Sequence, residues 1–287
     1  MATDLGTAER TITGLDALDL ADRTATPRGA RVWAAAWPKV LALGLAVGLW
    51  QVVVWSGWRP EYILPAPATV AAALVDLVRT GGFWSSVVNT AGRALSGYSI
   101  AIAIGLVLGV AVARIRVLRA AIGSMITALQ TMPSIAWFPL AIVLFQLSEQ
   151  AILFVVVLGA APSIANGVIA GVDYVPPLLL RAGRNIGARG WRLYRYVIGP
   201  ASLPHIVSGL KQGWAFCWRS LMAGELLVII PGRPAVGTSL EQHRGLSEYP
   251  EMMADMIVIL VIGLLVDAVF GAADRAVRTR WGITENR

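Results

Sequence analysis

Ala94–Ala113 reads ALSGYSIAIAIGLVLGVAVA, a run without a single charged residue, and Arg114, Arg116 and Arg119 follow it at once. A helix of that length spans about 30 Å, the depth of a bilayer's hydrocarbon core. A helix satisfies its own backbone groups in lipid, and arginines gather where a span leaves the membrane. Working outward, comparable apolar runs place spans at about Val40–Gly57, Ala94–Ala113, Ala120–Leu147, Ala151–Val172, Gln212–Ile230 and Met252–Ala273. The chain has 287 residues, 56% hydrophobic and 14% charged, where a soluble domain carries roughly 25% charged residues. No alternating pattern of a β-barrel appears. The expectation is an all-α polytopic membrane protein with about six transmembrane helices.

The net charge of +7 is explained by where the charge lies, so a nucleic-acid partner is not expected. Eighteen Lys+Arg fall in the N-terminal stretch, the loop after span two, Asp173–Lys211 and the C-terminus, against five in the other three loops. By the positive-inside rule both termini of this multi-pass protein are cytoplasmic. Residues 1–36 read as a mobile cytoplasmic tail, 37–280 as the transmembrane domain, and 281–287 as a second tail. The first apolar run starts too late for a cleaved signal peptide. One cysteine, Cys217, gives no disulfide framework, and His205 and His243 lack ligand partners at useful spacing, so no metal site is expected. Between spans one and two, Thr69–Arg79 reads as a short helix on the outer surface, with Asp76 and Arg79 on one face.

The longest cytoplasmic loop, 173–211, has a design beyond its charge. Pro176 and Pro177 suit a first helical turn, and Gly187 suits a left-handed C-terminal cap. On the helix between them Leu178, Ala182, Asn185 and Ile186 share one side, with Arg181 and Arg184 on another. A second helix is expected over Arg189–Ile198, ended by Pro200 and Pro204. Two short helices are marginal alone. They read as a docking element for a cytoplasmic partner, or as an ordinary loop whose arginines meet lipid headgroups.

These residues resemble the EAA loop of binding-protein-dependent ABC importers, whose pattern is Glu-Ala-Ala, three residues, Gly, nine residues, then Ile-x-Leu-Pro. Here Arg181-Ala182-Gly183 is followed after three residues by Gly187, and after nine by Val197-Ile198-Gly199-Pro200. Ala182, Gly187 and Pro200 match; Arg181, Gly183 and Gly199 depart. Further likenesses follow in order: ILPAPATV, TMPSIAWFPLAIVLF, the Ser148-Glu149 turn, Pro162 with Asn166, and Trp218 to Ala223-Gly224-Glu225-Leu226. Over roughly residues 60–280 the chain resembles permeases of the nitrate/sulfonate/taurine/bicarbonate group.

The resemblance implies a type I importer-like permease fold with a coupling-helix loop. It also implies a bacterial-type inner membrane and a set of partners by family: a separate ATPase subunit, an extracytoplasmic solute-binding protein and a second permease copy. The loop helix of such importers seats in a groove of the ATPase, whose closure turns the pathway between its two orientations. Arg181, where relatives present an acid, implies either a more acidic groove or a headgroup contact. A P-loop needs Gly-x4-Gly-Lys-Ser/Thr, and the only lysines, Lys39 and Lys211, lie in no such pattern. The chain is therefore expected to be no enzyme and to bind no cofactor, with ATP and Mg held by the partner.

Polar groups inside spans are costly and mark pathways. Arg219, inside span five, either attracts an anionic solute or pairs with Glu225 or Asp267. Glu225 reads as a structural or gating contact, and Asp267 as a partner for a cytoplasmic-side arginine. Pro133 and Pro139 break span three beside Gln130, Thr131 and Ser134, as a pathway element or a packing kink. With Asn166 these complete the candidate pathway: Gln130, Pro133, Ser134, Asn166, Arg219 and Glu225. Gly105 and Gly109 fit a close helix crossing, within or between subunits. The expected solute is a small anion of the nitrate, sulfonate, taurine or bicarbonate type. The alternative is a neutral heterocycle or vitamin precursor. A secondary transporter would need mid-membrane carboxylates and an inverted repeat, and a membrane enzyme a polar catalytic cluster; neither pattern is evident.

Overall fold

Proline and glycine punctuation sets where this chain stops being a regular helix. The computed structural model describes residues 28–280, and the chain divides into two units at Pro67. The first unit holds α1 (Arg28–Trp55), with Pro38 inside it. Helix α1 starts within the stretch expected to be a tail. The rest of that stretch, residues 1–27, and the expected tail 281–287 lie outside the described residues.

The second unit runs α2 (Pro67–Arg79), α3 (Gly81–Arg114), α4 (Arg116–Thr131), a 3-10 turn at Ser134–Trp137, α5 (Phe138–Phe145) and α6 (Glu149–Asp173). It continues through α7 (Pro177–Asn185), α8 (Gly199–Leu227), α9 (Val236–Leu246) and α10 (Tyr249–Arg280). No strand occurs among the described residues. The surface helix expected over Thr69–Arg79 is α2, and its Asp76 and Arg79 approach to 3.8 Å.

Helices α1, α3, α6 and α10 are each long and apolar enough to cross a membrane, and the pair α4–α5 makes a fifth crossing if taken as one span. Helix α8 has the length, at 29 residues, but carries Lys211, Arg219 and Glu225 and falls short in composition. The expected third span is not one helix. Around Pro133 the chain breaks and bends by 106°. Proline has no N–H to continue the ladder and forces the residue before it out of helical geometry; Met132 is extended, at φ −76° and ψ 127°. Pro139 sits harmlessly in the first turn of α5.

Helix α6 is the centre of the second unit, with α3 on one flank and α8 on the other. Lipid tails are as apolar as leucine, so helices associate in a bilayer through close packing, and small residues permit it. A Cβ on Gly105 would lie 2.7 Å from Ile164 Cβ, and one on Gly109 2.7 Å from Val168 Cβ. The expected glycine crossing is thus made inside the chain, against α6. On the opposite flank Gly167 of α6 meets Gly209 of α8 so closely that an added Cβ would stand 2.5 Å from the Gly209 Cα. Between these seams Ile152, Val155, Val156, Ile164, Cys217 and Leu221 form the core. The Tyr98 hydroxyl donates to the Leu210 carbonyl at 2.8 Å, and its ring stands edge-on to Trp214.

The second loop helix does not end where its prolines suggested. Trp191–Leu193 is one helical turn, Tyr194–Ile198 is π-helical, and α8 continues directly from it through Pro200 and Pro204. The Gly199 N–H donates to the Tyr194 carbonyl, five residues back. A widened turn at this point loses nothing from the absent donor of Pro200, so the proline is accommodated instead of breaking the helix.

Candidate functional site

Two clusters at opposite ends of the α3–α6–α8 bundle hold most of the chemistry. The first is ionic. Arg93 of α3 is 6% exposed and faces two carboxylates. Its Nε and Nη2 donate to Glu149 at 2.8 and 2.7 Å, a two-pronged contact with the first turn of α6. Its Nη1 donates to Glu225 of α8 at 3.1 Å. Glu225 is fully buried, and burying a carboxylate is tolerable only when its lone pairs are met. They are: the Thr90 hydroxyl lies 2.9 Å from Oε2, and the Gly237 N–H donates to the same oxygen at 3.1 Å. The Val236 N–H donates to Thr90 at 3.0 Å, and the Thr238 hydroxyl to the Glu225 carbonyl at 3.1 Å.

This network binds α3, α6, α8 and the start of α9 into one joint. A Cβ on Gly237 would lie 2.6 Å from the Glu225 Cβ, so glycine is what lets that N–H reach the carboxylate. One guanidinium opposite two carboxylates leaves an excess of negative charge. Arg233, exposed in the α8–α9 loop, stands 3.7 Å from Glu149 and offsets part of it. The joint is a mechanical and electrostatic latch.

Sequence reasoning found Glu225 and assigned it a structural or gating contact. It missed Arg93, counting it as a loop arginine, and missed Thr90. The signal was available: Ser86, Thr90, Ala94, Gly97, Ala101, Gly105 and Gly109 are all buried and recur at helical spacing, with Arg93 on the same face. That stripe begins well before Ala94, where the expected span began.

The second cluster is the loop 173–211. Helix α7 ends in a complete Schellman motif: Gly187 N–H donates to Arg184 O at 3.0 Å and Ala188 N–H to Gly183 O at 2.9 Å. Gly187 has φ +84°, the left-handed geometry this closure requires. The helix packs inward through Gly183, where a Cβ would meet Val197 at 2.8 Å and Leu193 at 3.0 Å. Val175, Leu193 and Ile198 form a small core beneath it. The side carrying Leu178, Ala182, Asn185 and Ile186 therefore faces outward; Leu178 is 75% and Ile186 84% exposed. Arg181 and Arg184 are exposed as well, and Pro200 is half-buried in α8.

The remaining candidate pathway residues are not gathered. Gln130, Pro133 and Ser134 share the α4–α5 break, and the Gln130 side-chain nitrogen is buried without a partner. Asn166 is half-buried on α6. Arg219 pairs with neither Glu225 nor Asp267; its Nε donates to Ala215 O at 3.0 Å and its guanidinium lies over Phe216 at 4.6 Å. Asp267 pairs not with an arginine but with Lys211, at 3.3 Å, because α8 passes α10 unbroken and carries Lys211 to it. Arg219 lines a groove with Trp214, Trp218, Gly263 and Asp267, and the two indoles stack at 6.1 Å.

Comparison with known proteins places this architecture. A probable ABC transporter permease protein of Brucella melitensis is 28% identical over 84% of this chain and 96% of its own. A riboflavin transport system permease protein of Chloroflexus aurantiacus is 30% identical, over 85% of this chain and 91% of its own. The taurine transport system permease protein of Escherichia coli is 24% identical, over 85% and 92%. Among solved structures, a bacterial ABC transporter involved in the import of the acidic polysaccharide alginate shares the fold at a TM-score of 0.58, with 13% identity, covering 86% of this chain and 99% of that one. Residues 101–281, more than half the chain and inclusive of both the α7 loop and Glu225, match the model of the binding-protein-dependent transport system inner membrane component, and the chain belongs to that family.

Proposed function

We propose that this permease forms the translocation pathway of an ATP-driven importer for a small anionic solute of the taurine, sulfonate, nitrate or bicarbonate type. Helix α7 is its seat for a separate ATPase subunit, which holds the ATP and Mg. A solute-binding protein outside the membrane delivers the solute, and a second copy of the permease completes the pathway. Both termini and the α7 loop are cytoplasmic, which puts the Arg93–Glu225 latch on the outer side. One observation carries most weight: a short helix, closed by a Schellman motif and propped on its own small core, turns Leu178 and Ile186 outward with Arg181 and Arg184 beside them. Two large aliphatic side chains held exposed on a rigid mount, with two arginines beside them, suit a partner surface that covers them. The latch keeps Glu225 away from an anion, while Arg219 stays available in its groove.

The test is co-purification and transport. Reversal of charge at Arg181→Glu with Arg184→Glu is expected to weaken recovery of the ATPase with the permease. Uptake of radiolabelled taurine or nitrate into vesicles holding permease, ATPase and binding protein is expected to need ATP. Uptake driven by a proton or sodium gradient in the permease alone would overturn the proposal. A second solute class has its own support. The stacked Trp214 and Trp218 beside Arg219 suit a flat heterocycle, and a relative is named for riboflavin transport. Competition between taurine and riboflavin for the same uptake separates the two.

A further inference from the structure

The π-helical segment does more than accommodate Pro200. Widening one turn rotates the residues before it by about 100° relative to α8's regular register. That rotation sets Tyr194 under Arg114 of α3, with the guanidinium 3.9 Å from the ring centre. Beside this contact lies a groove of about 480 Å³. Val168 and Ile198, both buried, form its floor, and the half-buried Leu203 and Ile206 line its side. Arg114, Arg195 and Trp191 stand exposed at its mouth, and no Asp or Glu lines it.

The two arginines lack counter-charges. Among the described residues neither makes an ion pair. Stacking on Tyr194 occupies one face of the Arg114 guanidinium and leaves its N–H edge open for an oxyanion. The groove also sits at a fixed depth. Arg114 ends the charge-free run of α3, so the mouth lies where hydrocarbon gives way to headgroups, and Trp191 has the amphipathic ring that favours that level.

We propose that this groove seats one anionic phospholipid, its phosphate on Arg114 and Arg195 and an acyl chain along Val168, Leu203 and Ile206. The charge pattern selects this occupant. A free phosphate has no use for the apolar floor, and a zwitterionic lipid brings its own cation to a mouth that already holds two. Basic pockets between spans on the arginine-rich side of a membrane are suited to acidic headgroups. Seated there, the lipid fills the bend between α3 and the α7–α8 connection and fixes the base of the loop.

The test uses the assembled transporter in detergent, with native mass spectrometry after adding phosphatidylglycerol or phosphatidylcholine of the same chains. Retention of phosphatidylglycerol is expected to exceed that of phosphatidylcholine by about tenfold or more, since each arginine contributes about 1 kcal/mol toward an acidic headgroup. The preference should vanish in Arg114→Gln/Arg195→Gln and persist in Arg181→Gln/Arg184→Gln. Ile206→Trp, which fills the groove, should lower retention of the lipid while leaving the arginines in place. Equal retention of the two lipids, a preference that survives the Arg114/Arg195 change, or displacement by millimolar inorganic phosphate would each overturn the proposal. So would loss of a protein subunit from the Arg114/Arg195 variant with lipid retention unchanged, because the groove would then be a protein contact.

Discussion

Arg93 bridges two carboxylates from two other helices, so its removal and the removal of one carboxylate are unequal events. Arg93→Leu leaves the fully buried Glu225 without a cation and Glu149 with only the exposed Arg233. The expected cost is on the order of 3–5 kcal/mol. Glu225→Gln keeps the Thr90 and Gly237 contacts largely intact and leaves Arg93 its two-pronged bond to Glu149; the expected cost is about 1–3 kcal/mol. The double variant should lose less than the two single losses together, since each group's penalty depends on the other. Thermal unfolding midpoints in detergent check the order. A milder effect from Arg93→Leu than from Glu225→Gln would show that the cluster is not held by charge. At this scale the sequence was half legible. Glu225 stood out because a carboxylate in an apolar run has no bland explanation. Arg93 did not, because an arginine just ahead of a charge-free run looks like a membrane boundary until the small-residue stripe is followed back to Ser86.

At the scale of elements, glycine placement decides what can move and what cannot. Gly187 holds φ +84°, which an L side chain adopts only with strain. Gly187→Ala is expected to destabilise the end of α7 by about 1–2 kcal/mol, and Gly187→Asn by less, because asparagine tolerates left-handed geometry. Faster amide exchange at Gly187 and Ala188, the donors of the Schellman bonds, would report the loss. Equal exchange in all three proteins would mean the motif contributes nothing. Gly167 has a different role. An alanine there meets the Gly209 backbone, which cannot rotate away, whereas at Gly92 an added Cβ meets nothing within 4 Å. Gly167→Ala should therefore cost about 1–3 kcal/mol in overpacking, and Gly92→Ala should be neutral or slightly stabilising through helix propensity. Most helices were legible from apolar runs and turn residues, but α9 was not expected, because its polar sequence carries no apolar run. The errors of helix continuity came from proline. Pro133 broke the third span outright, which the sequence left open between a break and a packing kink, and Pro200 and Pro204 failed to end a helix that was expected to stop. In each case the neighbouring backbone decided: extended Met132 in the first, a π-helical turn in the second.

For the whole molecule, the arrangement of charge makes a topological claim that one chemical experiment reads. Cys217 is fully buried, so the native chain offers little background to a membrane-impermeant maleimide. Ile186→Cys, on the exposed side of α7, should react only from the cytoplasmic side, and Ser247→Cys, after α9, only from the outer side. Labelling of both from the same side would contradict the positive-inside assignment. The membrane class was legible at once, since charge-free runs of this length have one common physical use. Helix α8 was the least legible. Helix α8 spends its polar residues on neighbours, Lys211 on Asp267 and Glu225 on Arg93, and those pairings bring together residues far apart in sequence. The continuity of that helix has a further consequence. From Trp191 to Leu227 the chain is helical without a break, about 55 Å at helical rise, with the α7 mount at one end and the buried glutamate near the other. An unbroken helix offers a push on the mount a direct route to the far end, and its irregular places are the π-helical Tyr194–Ile198 and the internal Pro204. Slack introduced there would uncouple the two ends while leaving each of them intact.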